Sequence, residues 1–217
     1  MIVHLCFHGV GTCEREREPG EAGYWVTRDF FLRVLDEVRA HPQVRLSFDD
    51  GNRSDVQIAL PALRERGLQA TFFALAGRLD DPASLGAADL QRLRGEGMGI
   101  GSHGWAHIPW RGLAAGDQRR EFIGARTTLA DASGGAVEEA ALPLGRYDRR
   151  TLHGLRAAGY RCVYTSDRFP ARPASWLQAR YSVTAQDDLE SIRSVLIGRP
   201  GPGEARNYLA SIVKRVR

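Results

Sequence analysis

The chain has 217 residues, of which 43% are hydrophobic and 26% charged, with a formal charge of +4; that is globular composition and excludes a disordered or fibrous chain. No apolar run approaches the roughly 20 residues of a membrane helix. The 30 basic residues are almost all arginine and interleave with 26 acids, as in Arg64-Glu65-Arg66; this is the pattern of solvated helix faces, not of a clustered track for nucleic acid.

Cys6, Cys13 and Cys162 show no C-x-x-C spacing, which argues against a disulfide framework or a structural zinc site. The opening MIVHLCFHG has no basic leader region and too short an apolar core for a signal peptide, so a cytoplasmic location is expected.

Along the chain, apolar runs alternate with stretches of helical period. A strand is predicted over 2–7, then a charged loop over 13–23. A helix starts after Thr27, a good N-cap, and stops at His41-Pro42. A strand at 44–48 is followed by a helix beyond Ser54-Asp55 that ends at Gly67. Further strands are predicted over 70–75, 98–101, 139–142, 162–165 and 181–184. Helices are predicted over 89–96, 116–132, 148–158, 188–197 and 204–216. The stretches 169–176 and 198–203 read as loops, and the whole of 1–217 reads as one domain. Strand-then-helix repetition implies an α/β fold with a parallel sheet, either open or closed into a barrel. No glycine-rich nucleotide fingerprint follows a strand.

The chemically interesting residues share one position. His8, Asp49-Asp50, His103, Pro143 with Gly145, and Ser166-Asp167 each follow a predicted strand. In a parallel barrel those positions converge on one rim, where active sites sit. In LSFDDG, two adjacent carboxylates repel, so one needs a cation or a shared proton. In HGWAH, His103 and His107 are four apart and can face one metal from a helical turn or a tight loop. One aspartate plus two histidines is a three-ligand set with an open position, the plan of catalytic zinc, and the second aspartate is free to act as base.

LSFDDG and HGWAH together resemble the first two motifs of the polysaccharide deacetylases, the family-4 carbohydrate esterases or nodulation-factor deacetylase homology domain. The resemblance covers most of the chain. It implies a distorted (β/α) barrel of about seven parallel strands and a metal-dependent N-deacetylase acting on an amino sugar. By resemblance, Asp49 is the catalytic base, and Asp50, His103 and His107 hold a divalent metal, Zn²⁺ or else Co²⁺ or Ni²⁺. LPLGRYD is similar to the third motif and implies an oxyanion donor at the backbone amide near Leu144.

The chain departs from the family pattern in three places. Gly104 stands where Ser or Thr follows the first histidine. Ala141 stands where an arginine steadies the base, so that support is either lost or supplied by another residue such as Arg146. No histidine follows His153, so the C-terminal L-x-H that supplies the general acid has no match. A circularly permuted branch, resembling the poly-N-acetylglucosamine deacetylases, places its last barrel strand first. In that arrangement His8 in CFHGV is the general acid. Trp105, Trp110, Tyr24 and Trp25 are candidates for stacking on a sugar. Two other readings stay open: the same chemistry on a small amide or formamide, and a catalytically weak carbohydrate- or metal-binding relative. The expected partner is a carbohydrate or small amide, with no nucleic acid and no membrane span.

Overall fold

The computed structural model describes residues 1–197 and 201–217. Eight parallel strands form one sheet: β1 (Val3–Phe7), β2 (Val44–Phe48), β3 (Ala70–Ala74), β4 (Gly99–Ser102), β5 (Glu139–Ala141), β6 (Cys162–Thr165), β7 (Leu177–Ala179) and β8 (Tyr181–Ser182). The order across the sheet is β8-β1-β2-β3-β4-β5-β6-β7. Only Arg180 separates β7 from β8. Ala179 pairs with Thr165 of β6, and Tyr181 pairs with Leu5 of β1. One irregular strand thus changes partner across Arg180 and brings the two sheet edges together into a nearly closed barrel. Counted that way there are seven barrel strands, as expected, with the N-terminal strand beside the last one. The seventh starts at residue 177, earlier than the 181–184 run.

Helices cover the outside: α1 (Arg28–Val38), α2 (Leu60–Glu65), α3 (Ala87–Gly95), α4 (Ala125–Ser133), α5 (Arg149–Ala157), α6 (Leu189–Leu196) and α7 (Pro202–Val216). Thr27 caps α1 by accepting from the Phe30 amide. Asp148 and Asp188 do the same for α5 and α6. α2 and α4 each continue a wider π turn, at Asp55–Ala59 and Arg119–Gly124. Of the loop expected over 198–203, residues 198–200 lie outside the described residues, and Pro202 already opens α7.

The alternation of each strand sorts its side chains. On β1, Val3, Leu5 and Phe7 join the core under the helices, while His4 and Cys6 point into the barrel. Phe48 stacks on Phe72 with ring centroids 4.7 Å apart, within that outer core. The barrel interior is mostly small or polar. Phe73 fills part of it because Gly101 faces it: a Cβ there would lie 2.3 Å from the ring. Arg180 crosses the middle and is 1% exposed. Above it lies the rim formed by the strand ends that carry Asp49, Asp50 and His103. Below it, a cavity of about 590 Å³ opens between the strand beginnings, lined by His4, Thr71, Glu139, Tyr164 and Gln178 among others.

Candidate active site

The rim is built where β2 stops. Asp49 still donates its amide to the Phe7 carbonyl of β1 at 2.9 Å. Asp50 then adopts φ 72° and Gly51 φ 63°. A left-handed pair turns the chain sharply, and aspartate tolerates that region better than most residues. Asn52 ties the turn to β1 by donating to the His8 carbonyl at 2.9 Å and also accepts from Arg17.

Asp50, His103 and His107 come together. Asp50 Oδ1 lies 3.4 Å from His103 Nε2 and 3.2 Å from His107 Nε2. All three donor atoms lie within 4.8 Å of one another. His103 is buried at the end of β4, and its Nδ1 is 2.9 Å from the Ala141 carbonyl. A carbonyl only accepts, so Nδ1 carries the proton and the Nε2 lone pair faces Asp50. His107 belongs to a loop, not a helical turn, with φ 56°. Its Nδ1 is 2.6 Å from Glu18 Oε1, and Arg78 also donates to that oxygen.

Asp50 Oδ1 is buried yet makes no hydrogen bond. An anionic oxygen aimed at two imidazole lone pairs, and otherwise unpartnered, is costly unless a cation joins the three. A carboxylate with two imidazoles is a donor set that suits a borderline-soft divalent ion such as Zn²⁺.

Asp49 faces a different partner. Arg180 donates to Asp49 Oδ1 at 2.7 Å and to Oδ2 at 2.6 Å, a bidentate pair, and also to Ser47 Oγ at 3.0 Å. Burial pushes the Asp49 carboxyl up, and the guanidinium more than reverses that. Arg180 thus places a guanidinium on Asp49, whereas the family resemblance leads us to expect an arginine at the position of Ala141. Arg146, the residue suggested for that support, is exposed at the edge of the cavity and makes no bond to Asp49 among the described residues.

His8 follows β1 and reaches the same place. One of its ring nitrogens lies within 4.8 Å of an Asp49 carboxylate oxygen. Its Nδ1 is buried without a hydrogen-bond partner, and Tyr24 packs on its ring at 4.8 Å. Burial lowers the His8 pKa, against the pull of Asp50 and Asp49.

These groups line a cavity of about 260 Å³ shared with Glu18, Leu144, Arg146 and Ser166. Leu144 sits in the Pro143–Gly145 turn at φ 56°. The expected aromatic candidates divide. Tyr24 lines the cavity and is partly exposed. Trp105 packs on the outer core near Gly77. Trp110 is fully buried and bonded to Glu121, and Trp25 lies over Gly9. Asp167 is tied to the Tyr147 hydroxyl and Lys214 and does not line the cavity.

Comparison with known proteins bears on this arrangement. The family model "Polysaccharide deacetylase" matches residues 37–163. YxkH of Bacillus subtilis (strain 168), which carries a polysaccharide deacetylase assignment, is 25% identical over 149 residues. That match takes in 69% of this chain and 51% of YxkH, so the chain spans about half the length of that relative. Among solved structures, the Streptococcus pyogenes deacetylase PplD superposes with a TM-score of 0.77 at 19% identity, covering 92% of this chain and 98% of that one. IcaB from Ammonifex degensii gives 0.74 at 22% identity, covering 90% and 95%. At these identities the two structures speak for the fold.

Proposed function

The chain belongs to the polysaccharide deacetylase family, and from that premise we propose that it is a metal-dependent hydrolase that removes an N-acetyl or similar N-acyl group from an amino sugar. We read residues 1–217 as one catalytic domain. The observation that carries the reading is the orphaned Asp50 Oδ1 facing two imidazole nitrogens, beside a second carboxylate held by arginine.

Asp50, His103 and His107 would hold the cation. When bound, it would polarise the acyl carbonyl and lower the pKa of water toward about 7. Asp49, fixed by Arg180, accepts the proton of the attacking water as its oxygen bonds to the acyl carbon. The carbonyl oxygen gains charge there, and we assign the backbone amide near Leu144, a residue of the cavity lining, as its donor. His8 gives a proton to the nitrogen as the C–N bond breaks, so an acid and an amine leave. Tyr24 and the Trp-free mouth beside it suit the face of one sugar ring. That the family match begins at residue 37, beyond β1, supports reading β1 and His8 as the transposed last strand and its acid. Retention of an arginine on Asp49 removes the main reason to read the chain as catalytically weak.

The test is metal content together with acetate release from N-acetylglucosamine oligomers and monosaccharides. About one divalent ion per chain is expected, with turnover lost by roughly 10³-fold in Asp49→Asn and by 10²-fold or more in His8→Ala, both retaining metal. A metal-free active protein, or full turnover in Asp49→Asn, would overturn the reading.

A further inference from the structure

α7 is built inside out. Its polar side chains face the body. Asn207 donates to the Arg168 carbonyl at 3.3 Å, Ser211 is fully buried against the Tyr147 hydroxyl at 3.1 Å, and Lys214 bonds Asp167 at 2.6 Å and the Gly145 carbonyl at 3.3 Å. Its apolar side chains lie mostly on the outward side, Tyr208 at the margin where it packs edge-on against Phe169. Tyr208, Leu209, Ile212, Val213 and Val216 are between 38% and 68% exposed, and their spacing puts them on one stripe. A surface helix normally buries that stripe and wets the other, so this one is covered by something outside the fold.

Charge selects the occupant. Of the acids near α7, Asp167 is paired with Lys214, while Glu204 and Asp148 stay anionic as they accept from backbone amides and are outnumbered by exposed arginines. Arg206 on α7 and Arg217 just after it are exposed. Arg149, whose amide donates to the Arg217 carbonyl, and Arg150 add to them. The free charge around the stripe is positive. A second copy would set these arginines against their equivalents, and five half-exposed side chains amount to a few hundred Å², short of the roughly 800 Å² per partner of a stable protein interface. A short apolar stripe flanked by arginine fits the boundary of an anionic bilayer. At 15 residues, α7 lies on a membrane and does not cross it. We propose that α7 docks the protein on an anionic lipid surface, its outer face entering the headgroup region. Lys214 joins the body-facing side of α7 to Gly145 of the cavity lining, so the helix that docks lies between the lipid surface and the wall of the candidate active site.

Flotation of the full chain with vesicles tests this without reference to deacetylation. With phosphatidylglycerol–phosphatidylcholine vesicles the bound fraction is expected to exceed that with pure phosphatidylcholine by about tenfold or more, and to fall as salt rises from about 50 mM to about 500 mM. Leu209→Glu with Val213→Glu, at two positions more than half exposed, should cut binding roughly tenfold with an unchanged thermal melt. Arg206→Glu alone should weaken it several-fold. Equal recovery with both vesicles, no recovery with either, or binding indifferent to these substitutions would overturn the proposal. So would a vesicle-free dimer in sedimentation that the double variant dissolves, since the stripe would then belong to a second copy.

Discussion

Arg180 decides what kind of group Asp49 is. A buried carboxylate without a counterion is unstable in place, and the guanidinium fork supplies both charge and orientation. Removing it leaves Asp49 unpaired in a dry site. Arg180→Ala is therefore expected to cost about 3–5 kcal/mol, read as a fall of roughly 10 °C in the melting midpoint, with turnover down by about 100-fold because the base loses its position. Arg180→Lys keeps the charge and loses the fork, so stability should recover by more than turnover does. If Arg180→Ala melts like the parent, the pair is not what holds Asp49. Glu18 acts one shell further out. It fixes His107 through Nδ1, and partners of that kind typically change metal affinity 10- to 100-fold when removed. Glu18→Gln should weaken zinc binding by about that factor in a competition titration with a chromogenic chelator, while zinc stoichiometry at saturation stays unchanged.

At the scale of elements, the closing strand sets what could be read from sequence and what could not. LSFDDG and HGWAH are contiguous, so the carboxylate pair, the two histidines and the strand ends that carry them were legible without knowing the fold. Arg180 was not. Its strand is split into three and two residues, with Gln178 and Arg180 pointing into a polar interior, so no apolar alternation marks it. Its partnership with Asp49 exists only once the barrel edges meet. Glu18 gave no signal either, because a charged loop names no target until it folds over the rim. The same polar interior carries a pH consequence. His4 on β1 is buried, and burial lowers its pKa from 6.5 to about 4, with Arg180 and Arg45 adding to the effect and the Gln178 hydrogen bond opposing it. The folded protein thus refuses a proton that the unfolded chain accepts. Above about pH 6.5 both states are neutral and His4 contributes no pH dependence. Between about 6.5 and 4 the unfolded state gains the proton, and stability falls by up to about 3 kcal/mol as pH drops. Urea midpoints measured from pH 7 to 4 should show that slope, and His4→Gln should remove its share. A slope unchanged in His4→Gln would assign it to other groups.

For the whole molecule, the candidate site is a place where folding concentrates like charge. Asp49, Asp50 and Asp55 are all buried at one end of the barrel. Only Asp49 has a guanidinium against it. Both carboxyl oxygens of Asp55 lack hydrogen-bond partners, and burial, then Asp50 and Asp49, push its pKa well up. Asp50 relies on imidazoles that are better lone-pair donors than cations. A divalent ion would relieve this cluster, and since the unfolded chain holds no such arrangement, the binding energy appears as folding stability. At free zinc about 1,000-fold above the dissociation constant that is about 4 kcal/mol, or roughly 8–16 °C in melting midpoint for a chain of this size. Stripping the protein with a chelator should lower the midpoint by that amount, and adding zinc back should restore it. Asp50→Asn should abolish the zinc-dependent shift, whereas Asp49→Asn should retain most of it, because its carboxylate is assigned to the proton and not to the ion. A shift that survives Asp50→Asn, or one that vanishes equally in both variants, would mean the two carboxylates share the cation and the division of labour between them is wrong.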